Sequence, residues 1–259
     1  MTTWAFGGID LSTYGKVMRI DDYLDLPETR GQDITLSYRH GAKFVEKFFE
    51  PKKIILEIGI SETDVQAIEA KFDAIRKNFG KRGQQLLVCT LADSSVRQAY
   101  ARVESIMQVR RTTGRIAKVV VEFTLSEPFF RSDTLSTFTQ TIDANPKAMD
   151  VENVGTVEER NPTIVLTGPL ENVVITNPAN GFIWSYTGVI ADGDTVTFNQ
   201  DADGQYTAIH SVSGEVIGNV NHQGDTAFMV IETDEQTLSI ASVSPTTGTV
   251  EISFYPPYF

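Results

Sequence analysis

The sequence predicts a mainly β protein of two domains, an α+β first domain followed by an antiparallel β-sandwich. Helical periodicity is confined to one segment of the first half. After about residue 133, short β-like segments follow one another, separated by turn residues. A length of 259 residues corresponds to about two domains. We therefore expect domains at 1–132 and 133–259.

The helix of the first domain is predicted from one apolar stripe. Apolar residues recur at three- and four-residue spacing, as on one face of an amphipathic helix, at Val65, Ile68, Phe72, Ile75 and Phe79. Ser61 and Asp64 have the spacing of a capping box at the start. Gly80 stands where a left-handed residue would end the helix.

The rest of the first domain is predicted to be strands. They are expected around 34–38, 53–60, 86–91, 99–109 and 115–125, the last two joined by a short hairpin loop at 111–114. In the last strand, apolar residues alternate with more polar ones, at Ala117, Val119, Val121, Phe123 and Leu125. This alternation indicates a sheet with one buried face and one wet face.

The second domain is predicted from its turns. Turn dipeptides or tripeptides occur at 168–169, 177–178, 192–194, 203–204 and 244–245. About eight short strands at such spacing are typical of an antiparallel sandwich.

Charge differs sharply between the two halves. Residues 1–131 hold 20 Lys and Arg against 17 Asp and Glu, a net charge of +3, and the remainder holds 2 against 17, a net of −15. After Arg160 the sequence has no lysine or arginine. The second half is therefore a poor partner for DNA, RNA or anionic lipid. An acidic solubilising surface is favoured over a role in capturing cations.

Residues that could support catalysis or bind a cofactor are sparse. His40, His210 and His222 do not have the spacing of a metal motif, and no nucleophile elbow or phosphate loop is present. Cys89 is the single cysteine, which excludes a disulfide framework and a zinc site of paired cysteines, and its apolar surroundings indicate an inert buried thiol. We expect no enzymatic activity and no cofactor.

The sequence also lacks the marks of membrane insertion or secretion. No apolar run approaches the roughly 20 residues that span a bilayer, and the N-terminal residues do not resemble a signal peptide. We expect no membrane anchor and folding in a reducing cytoplasm.

One segment has the spacing of a calcium loop. Asn199, Asp201 and Asp203, followed by Gly204, match the opening of an EF-hand loop, but the twelfth position is His210 instead of glutamate. A hairpin turn between strands at 194–199 and 205–211 explains the same residues through their turn propensity and is the favoured interpretation.

Aromatic residues of the second domain give a second candidate site. Trp184, Tyr186 and Tyr206, with Phe182, could line a sugar-binding groove. In a sandwich such residues more often belong to the core or to an interface, which is the favoured alternative.

Short motifs along nearly the whole chain resemble one family. In the first half these are WAFGG at 4–8, PETRG at 27–31, YRHG at 38–41 and FTLSEPFF at 123–130. In the second half they are VENVG at 151–155, NPTIVLTG at 161–168, NGFIWSYTGVIADGD at 180–194 and YPPYF at 255–259. Taken in order, they resemble the distal tail proteins of long-tailed bacteriophages.

The resemblance implies a virion structural protein at the tail tip. It implies a barrel-like hub domain and a galectin-like or carbohydrate-module-like sandwich. Six copies would form a ring, with the option of stacked rings, joining the tail tube to the tip or baseplate. DNA would pass through the channel without specific binding. The implied partners are the tail tube protein and tail-tip proteins, with assembly in the bacterial cytoplasm. The alternative function is a carbohydrate-binding module that contributes to host-surface adsorption.

The same resemblance implies an arm that reaches the neighbouring subunit, at about 39–57. Apolar residues are crowded there between charged ones and Pro51, and we expect Phe44, Val45, Phe48 and Phe49 at the ring interface. An intrachain hairpin that covers the sheet is the alternative.

Overall fold

The computed structural model describes residues 2–21, 25–35, 40, 42–43, 48–111, 115–200, 204–223, 229–243 and 247–259. Contacts divide the chain into two compact units. Unit 1 comprises Met1–Asp133 with Tyr258–Phe259, and unit 2 comprises Thr134–Pro257. The fold is mainly β, with an α-helix in unit 1, which confirms the predicted class.

Unit 1 consists mostly of antiparallel strands. In chain order they are β1 (Thr3–Phe6), β2 (Ile9–Asp10), β3 (Lys16–Asp21), β4 (Thr29–Arg30), β5 (Ile34–Thr35), β6 (Ala42–Lys43), β7 (Phe48–Phe49), β8 (Lys52–Ser61), β9 (Gln85–Thr90), β10 (Val96–Arg111), β11 (Ile116–Leu125) and β12 (Phe130–Ser132). A 3-10 turn, Leu11–Thr13, follows β2, and helix α1 (Val65–Phe79) connects β8 to β9.

The main sheet of unit 1 has the order β2-β1-β9-β10-β11-β8-β3. β12 pairs with β10 and with a last strand, β24 (Pro257–Tyr258), while β4–β7 and β5–β6 form separate two-stranded ribbons. β1, β2 and β3 were not predicted, and the loop residues 112–114 and strand residues 36–38 lie outside the described residues.

The core of unit 1 forms between the sheet and α1. β8 and β11 each alternate buried and more exposed residues, and their buried positions meet in register, as at Leu56 and Val121. The helix contributes Ile68, Phe72, Ile75 and Phe79 to the same cluster. Val65 remains 43 % exposed, so four of the five residues of the predicted stripe are buried.

The ends of α1 differ from the predicted caps. The N-cap is Asp64, whose carboxylate accepts the N–H of Ala67 at 2.8 Å, so the helix begins later than a Ser61 cap would place it. Gly80 is the C-cap, but its φ of −78° is right-handed and its N–H donates to the C=O of Arg76. The left-handed ending was therefore wrong.

Unit 2 contains the remaining strands. They are β13 (Ser136–Thr141), β14 (Lys147–Asn153), β15 (Thr163–Thr167), β16 (Leu170–Asn177), β17 (Phe182–Ile190), β18 (Thr195–Gln200), β19 (Tyr206–His210), β20 (Gly214–Glu215), β21 (Val220–Gln223), β22 (Asp234–Ala241) and β23 (Thr249–Phe254). A 3-10 turn, Ile217–Asn219, precedes β21.

Two antiparallel sheets enclose the core of unit 2. One has the order β13-β23-β15-β18-β19-β20 and the other β14-β22-β16-β17-β21. Inward residues of both sheets form one hydrophobic cluster that includes Ile164, Trp184, Phe198 and Ile252. This arrangement is the antiparallel sandwich that the turn spacing predicted.

No helix in the described part of the chain is long and apolar enough to cross a membrane.

Candidate assembly surface

Two phenylalanines of the predicted arm lie on the ribbon of β4 and β7. The strands pair antiparallel, with Arg30 opposite Phe48. The N–H of Glu50 donates to the C=O of Glu28 at 2.6 Å and extends the ribbon by one residue. Because successive residues of a strand face opposite sides, Phe48 and Phe49 lie on different faces of the ribbon.

The Phe49 face packs inside unit 1. Its ring lies 5.6 Å from that of Phe129 and 5.5 Å from that of Phe259, and the last two rings are 5.6 Å apart. All three contacts are edge-on, the arrangement that the ring quadrupole favours. Phe49 therefore attaches the ribbon to its own chain.

The neighbouring Tyr258 is also fixed within unit 1. The guanidinium carbon of Arg97 lies 4.1 Å from the centroid of its ring, a cation–π contact. Tyr258 and Phe259 thus hold this end of the chain against unit 1.

The Phe48 face points away from this packing. Phe48 is 44 % exposed and Leu26, which precedes β4, is 68 % exposed. A cleft of about 420 Å³ near the base of the ribbon is lined by Leu26, Pro27 and Pro51, together with charged residues of both signs. An exposed aromatic ring on a ribbon whose base carries a cleft of mixed apolar and charged lining is chemically suited to contact with protein.

The four predicted interface residues therefore have different outcomes. Phe44 and Val45 lie outside the described residues. Phe49 has intrachain ring contacts, as expected for the alternative in which a hairpin covers the sheet. Phe48 is exposed, and its place in an interface stays a prediction.

The prediction that aromatic residues of unit 2 face a sugar is wrong for Trp184 and Tyr186. Trp184 is 0 % and Tyr186 3 % exposed, and both belong to the core of unit 2. The alternation along β17 explains this, because Phe182, Trp184 and Tyr186 share one face of the strand. That period of two could have placed all three inside from the sequence.

Tyr206 does not supply an aromatic platform by itself. It is half-buried, its ring stacks on Phe198 at 5.7 Å, and its hydroxyl donates to the Asn161 side chain. One face of its ring is thus covered by its own chain. The aromatic groove predicted from Trp184, Tyr186 and Tyr206 is not formed.

The calcium candidate is only partly described. Asp201 and Asp203 lie outside the described residues. The Asn199 side-chain oxygen accepts the Thr207 hydroxyl at 2.6 Å, across the hairpin of β18 and β19. The described residues include no group of three or more His, Cys, Asp and Glu that could hold a metal ion.

The cysteine and one of the histidines considered as reactive residues have places in the core or in a turn. Cys89 is fully buried. The Nδ1 atom of His210 accepts the N–H of Val212 at 3.1 Å, so the imidazole holds the turn after β19.

The shifted pKa values have local structural causes. Burial raises the pKa of Tyr14. Hydrogen bonding from the Ser95 side chain lowers the pKa of Asp93, and the Lys147 ammonium lowers that of Asp143.

The helix on an antiparallel sheet, followed in the same chain by a β-sandwich, is a fold shared with a solved phage hub protein, which confirms the fold that the sequence resemblance implied. The chain is similar over its length to the crystal structure of the SPP1 Dit (gp 19.1) protein, described as a paradigm of the hub adsorption apparatus in phages that infect Gram-positive bacteria. The TM-score is 0.70 at 12 % identity, covering 98 % of this chain and 99 % of that one.

At this identity the similarity establishes the fold. A chain of the phage P2 baseplate in its activated conformation also matches, with a TM-score of 0.43 and 9 % identity over 98 % of both chains, too low a score to add to the assignment. No family model matches the sequence. No curated protein matches it.

Proposed function

We propose that this protein is a virion structural protein that forms a hexameric ring at the tip of a long phage tail. The ring would join the tail tube to the tip or baseplate and leave a channel for DNA. The observation that carries the proposal is the fold shared with a hub protein across both units, with 98 % and 99 % of the two chains covered. The role is structural and not catalytic.

The ring contact is assigned to the Phe48 face of the ribbon. A closed ring needs a heterologous contact, in which one surface of each copy meets a different surface of the next. Phe48 is the exposed aromatic residue of the ribbon, and Phe49 on the other face fixes its position through Phe129 and Phe259. Aromatic residues are enriched among those that dominate binding energy.

The partners are the tail tube protein, tail-tip proteins and further copies of the chain, in single or stacked rings. Assembly takes place in the bacterial cytoplasm and the product resides at the tail tip. The DNA that crosses the ring is not bound specifically.

Ion pairs in unit 1 are consistent with the absence of specific DNA binding. Lys53 lies 3.2 Å from Glu122, and Lys118 lies 2.6 Å from Glu57, so these cations already have carboxylate partners. Residues 132–259 add a net charge of −15, which repels phosphate. Gel retardation with duplex DNA at about 50 mM salt, where attraction is strongest, should show no complex. A retarded band that disappears at higher salt would oppose the proposal.

The ring itself is tested by light scattering coupled to size exclusion. The wild-type chain should have the mass of six copies, or of a multiple of six, at micromolar concentration. Phe48→Glu buries a charge in each contact and should give a folded monomer. Val212→Glu, at a residue 76 % exposed in unit 2, is the matched control and should keep the ring. If Phe48→Glu leaves the ring intact, the ring contact does not include Phe48 and lies on another surface.

A further inference from the structure

Strand β13 forms an open edge of the six-stranded sheet in unit 2. Among the described residues it pairs in that sheet with β23 alone, in unbroken register from Ser136 opposite Phe254 to Thr141 opposite Thr249. Its sequence, STFTQT, has no charged residue and no proline. Charges, prolines and bulges are the usual means by which proteins prevent edge strands from pairing with other chains.

The register shows which backbone groups face outward. The N–H of Ile142 donates to the C=O of Gly248 at 2.9 Å, so this pair is of the hydrogen-bonded type. Pairs alternate along an antiparallel ladder, so residues 136, 138 and 140 bond to β23. The N–H and C=O groups of Thr137, Thr139 and Thr141 therefore point away from the sheet. All three threonines are exposed.

The opposite edge of the same sheet ends in the two-residue strand β20, and beyond it the chain itself satisfies the backbone groups of Ala208 on β19. The N–H of Ala208 donates to the Glu215 carboxylate at 3.1 Å, and the C=O of Ala208 accepts the N–H of Val216 at 2.7 Å. Both outward groups of β19 at this position are thus satisfied.

Two of the other described edges carry features that oppose pairing, whereas the four-residue edge strand β21 is also without a charged residue. β14, at the edge of the second sheet of unit 2, has Lys147, Asp150 and Glu152 among its seven residues. β3, at the edge of the main sheet in unit 1, has an irregular register between Val17 and Arg19. The open, uncharged edge of β13 contrasts with these.

We propose that the β13 edge binds the β13 edge of a second copy of this chain, antiparallel about a two-fold axis. Thr139 lies opposite Thr139 of the second copy, and Thr137 lies opposite Thr141. These three pairs use the outward backbone groups and form about six hydrogen bonds. The bond accepted by the C=O of Thr141 replaces the one that the Gln140 side-chain amide donates to it at 3.1 Å in the single chain. The two six-stranded sheets become one continuous sheet.

The chemistry of the strand favours a second copy as the occupant. In this register, the residues that meet belong to the same face of the sheet, so threonines pair with threonines. Such cross-strand pairs are favourable, and no like charges are opposed. The contact is isologous, so one surface satisfies itself.

The acidic charge of unit 2 does not prevent this contact at physiological salt. Glu251 on β23, the strand next to β13, lies opposite Thr139. In the pair, the two Glu251 positions are three strand spacings apart, roughly 14 Å, beyond the Debye length of about 8 Å at 0.15 M salt. Pairing should therefore strengthen as salt is raised.

This contact is independent of the proposed ring, because it uses unit 2 while the ring contact uses the ribbon of unit 1. Pairing through β13 would double the mass of the species present, whether that species is a monomer or a hexamer. Phe48→Glu should leave pairing in place, and a change at β13 should leave the ring in place, so failure of either proposal is recognisable.

Disulfide trapping in the full chain tests the register. The native thiol, Cys89, is buried. The two copies of residue 139 would be about 5.5 Å apart between Cα atoms, within disulfide range, whereas the two copies of residue 137 would be offset by four residues, roughly 13 Å. Under mild oxidation, Thr139→Cys should give a linked pair as the main product. Thr137→Cys, the matched control, should give at least tenfold less.

Sedimentation velocity at raised salt tests the affinity. The wild-type chain should show a species of twice the mass that increases with protein concentration. Thr139→Lys places two ammonium groups at the axis and should weaken pairing at least tenfold, while Thr167→Lys, an equal charge change on the interior strand β15, should not. The proposal is overturned by absence of doubling in the wild type, by doubling unchanged in Thr139→Lys, or by equal trapping at 137 and 139. Binding of another tail protein's strand without self-pairing would also overturn it.

Discussion

Phe48 and Phe49 are adjacent and chemically identical, yet the structure predicts different consequences when each is replaced by alanine. Phe49→Ala removes two edge-on ring contacts, with Phe129 and Phe259. Phe48→Ala removes a ring that is 44 % exposed in the single chain. We expect Phe49→Ala to lower the stability of unit 1 and Phe48→Ala to act on assembly.

The magnitude follows from the contacts. Each aromatic pair contributes about 0.5–1.5 kcal/mol beyond burial, so the two contacts of Phe49 account for about 1–3 kcal/mol. Loss of half-buried apolar area brings the expected cost of Phe49→Ala to about 2–4 kcal/mol. Phe48→Ala should cost less than about 1 kcal/mol in the free energy of unfolding of the monomer.

The tryptophans provide a separate probe for each unit. The chain has two, Trp4 in unit 1 and Trp184 in unit 2, and both are buried. In a Trp184→Phe background, fluorescence during urea unfolding reports on unit 1 through Trp4. The experiment should be done at concentrations below ring formation, since assembly stabilises the folded chain.

A shift of the urea midpoint in Phe49→Ala, with an unchanged slope, would give the free-energy difference directly. Equal shifts for Phe48→Ala and Phe49→Ala would refute the assignment of opposite faces. No shift in Phe49→Ala would show that the aromatic cluster does not hold the ribbon.

Three further predictions concern local features. Asp64→Ala should cost about 1 kcal/mol in thermal or urea unfolding because it removes the helix cap, whereas Ser61→Ala should change little. The Asp143 carboxylate lies 2.7 Å from the Lys147 ammonium, which lowers the pKa of Asp143 in the folded state. The resulting stability is present above the pKa of the unfolded state and is lost as pH falls through the pKa of the folded state. An NMR titration should show that Lys147→Gln raises the titration midpoint of Asp143. Residues 133–259 alone should give a soluble domain with an all-β circular dichroism spectrum, and helical signal or aggregation would contradict this boundary.

Strong periodicity allowed the main elements of unit 1 to be predicted. The stripe from Ile68 to Phe79 and the alternation of β11 both identified buried faces correctly. β1 and β2 were missed because they span only Thr3–Phe6 and Ile9–Asp10, too few residues to establish a period. Their place in the sheet depends on pairing with the distant strand β9.

Contacts between side chains that are distant in the sequence could not be predicted from the sequence. Phe49 and Phe259 are separated by most of the chain, so their contact has no local signature. Trp184 was a different case, because the period of β17 already placed it with Phe182 on one face. The open edge at β13 depends on knowing which strand lies beside it.

The central claim is that this chain forms a hub ring, and electron microscopy of the purified full chain tests it most directly. The account predicts class averages with six-fold symmetry and an open centre wide enough for duplex DNA. Particles that remain single copies at every concentration, or rings with a closed centre, would contradict it.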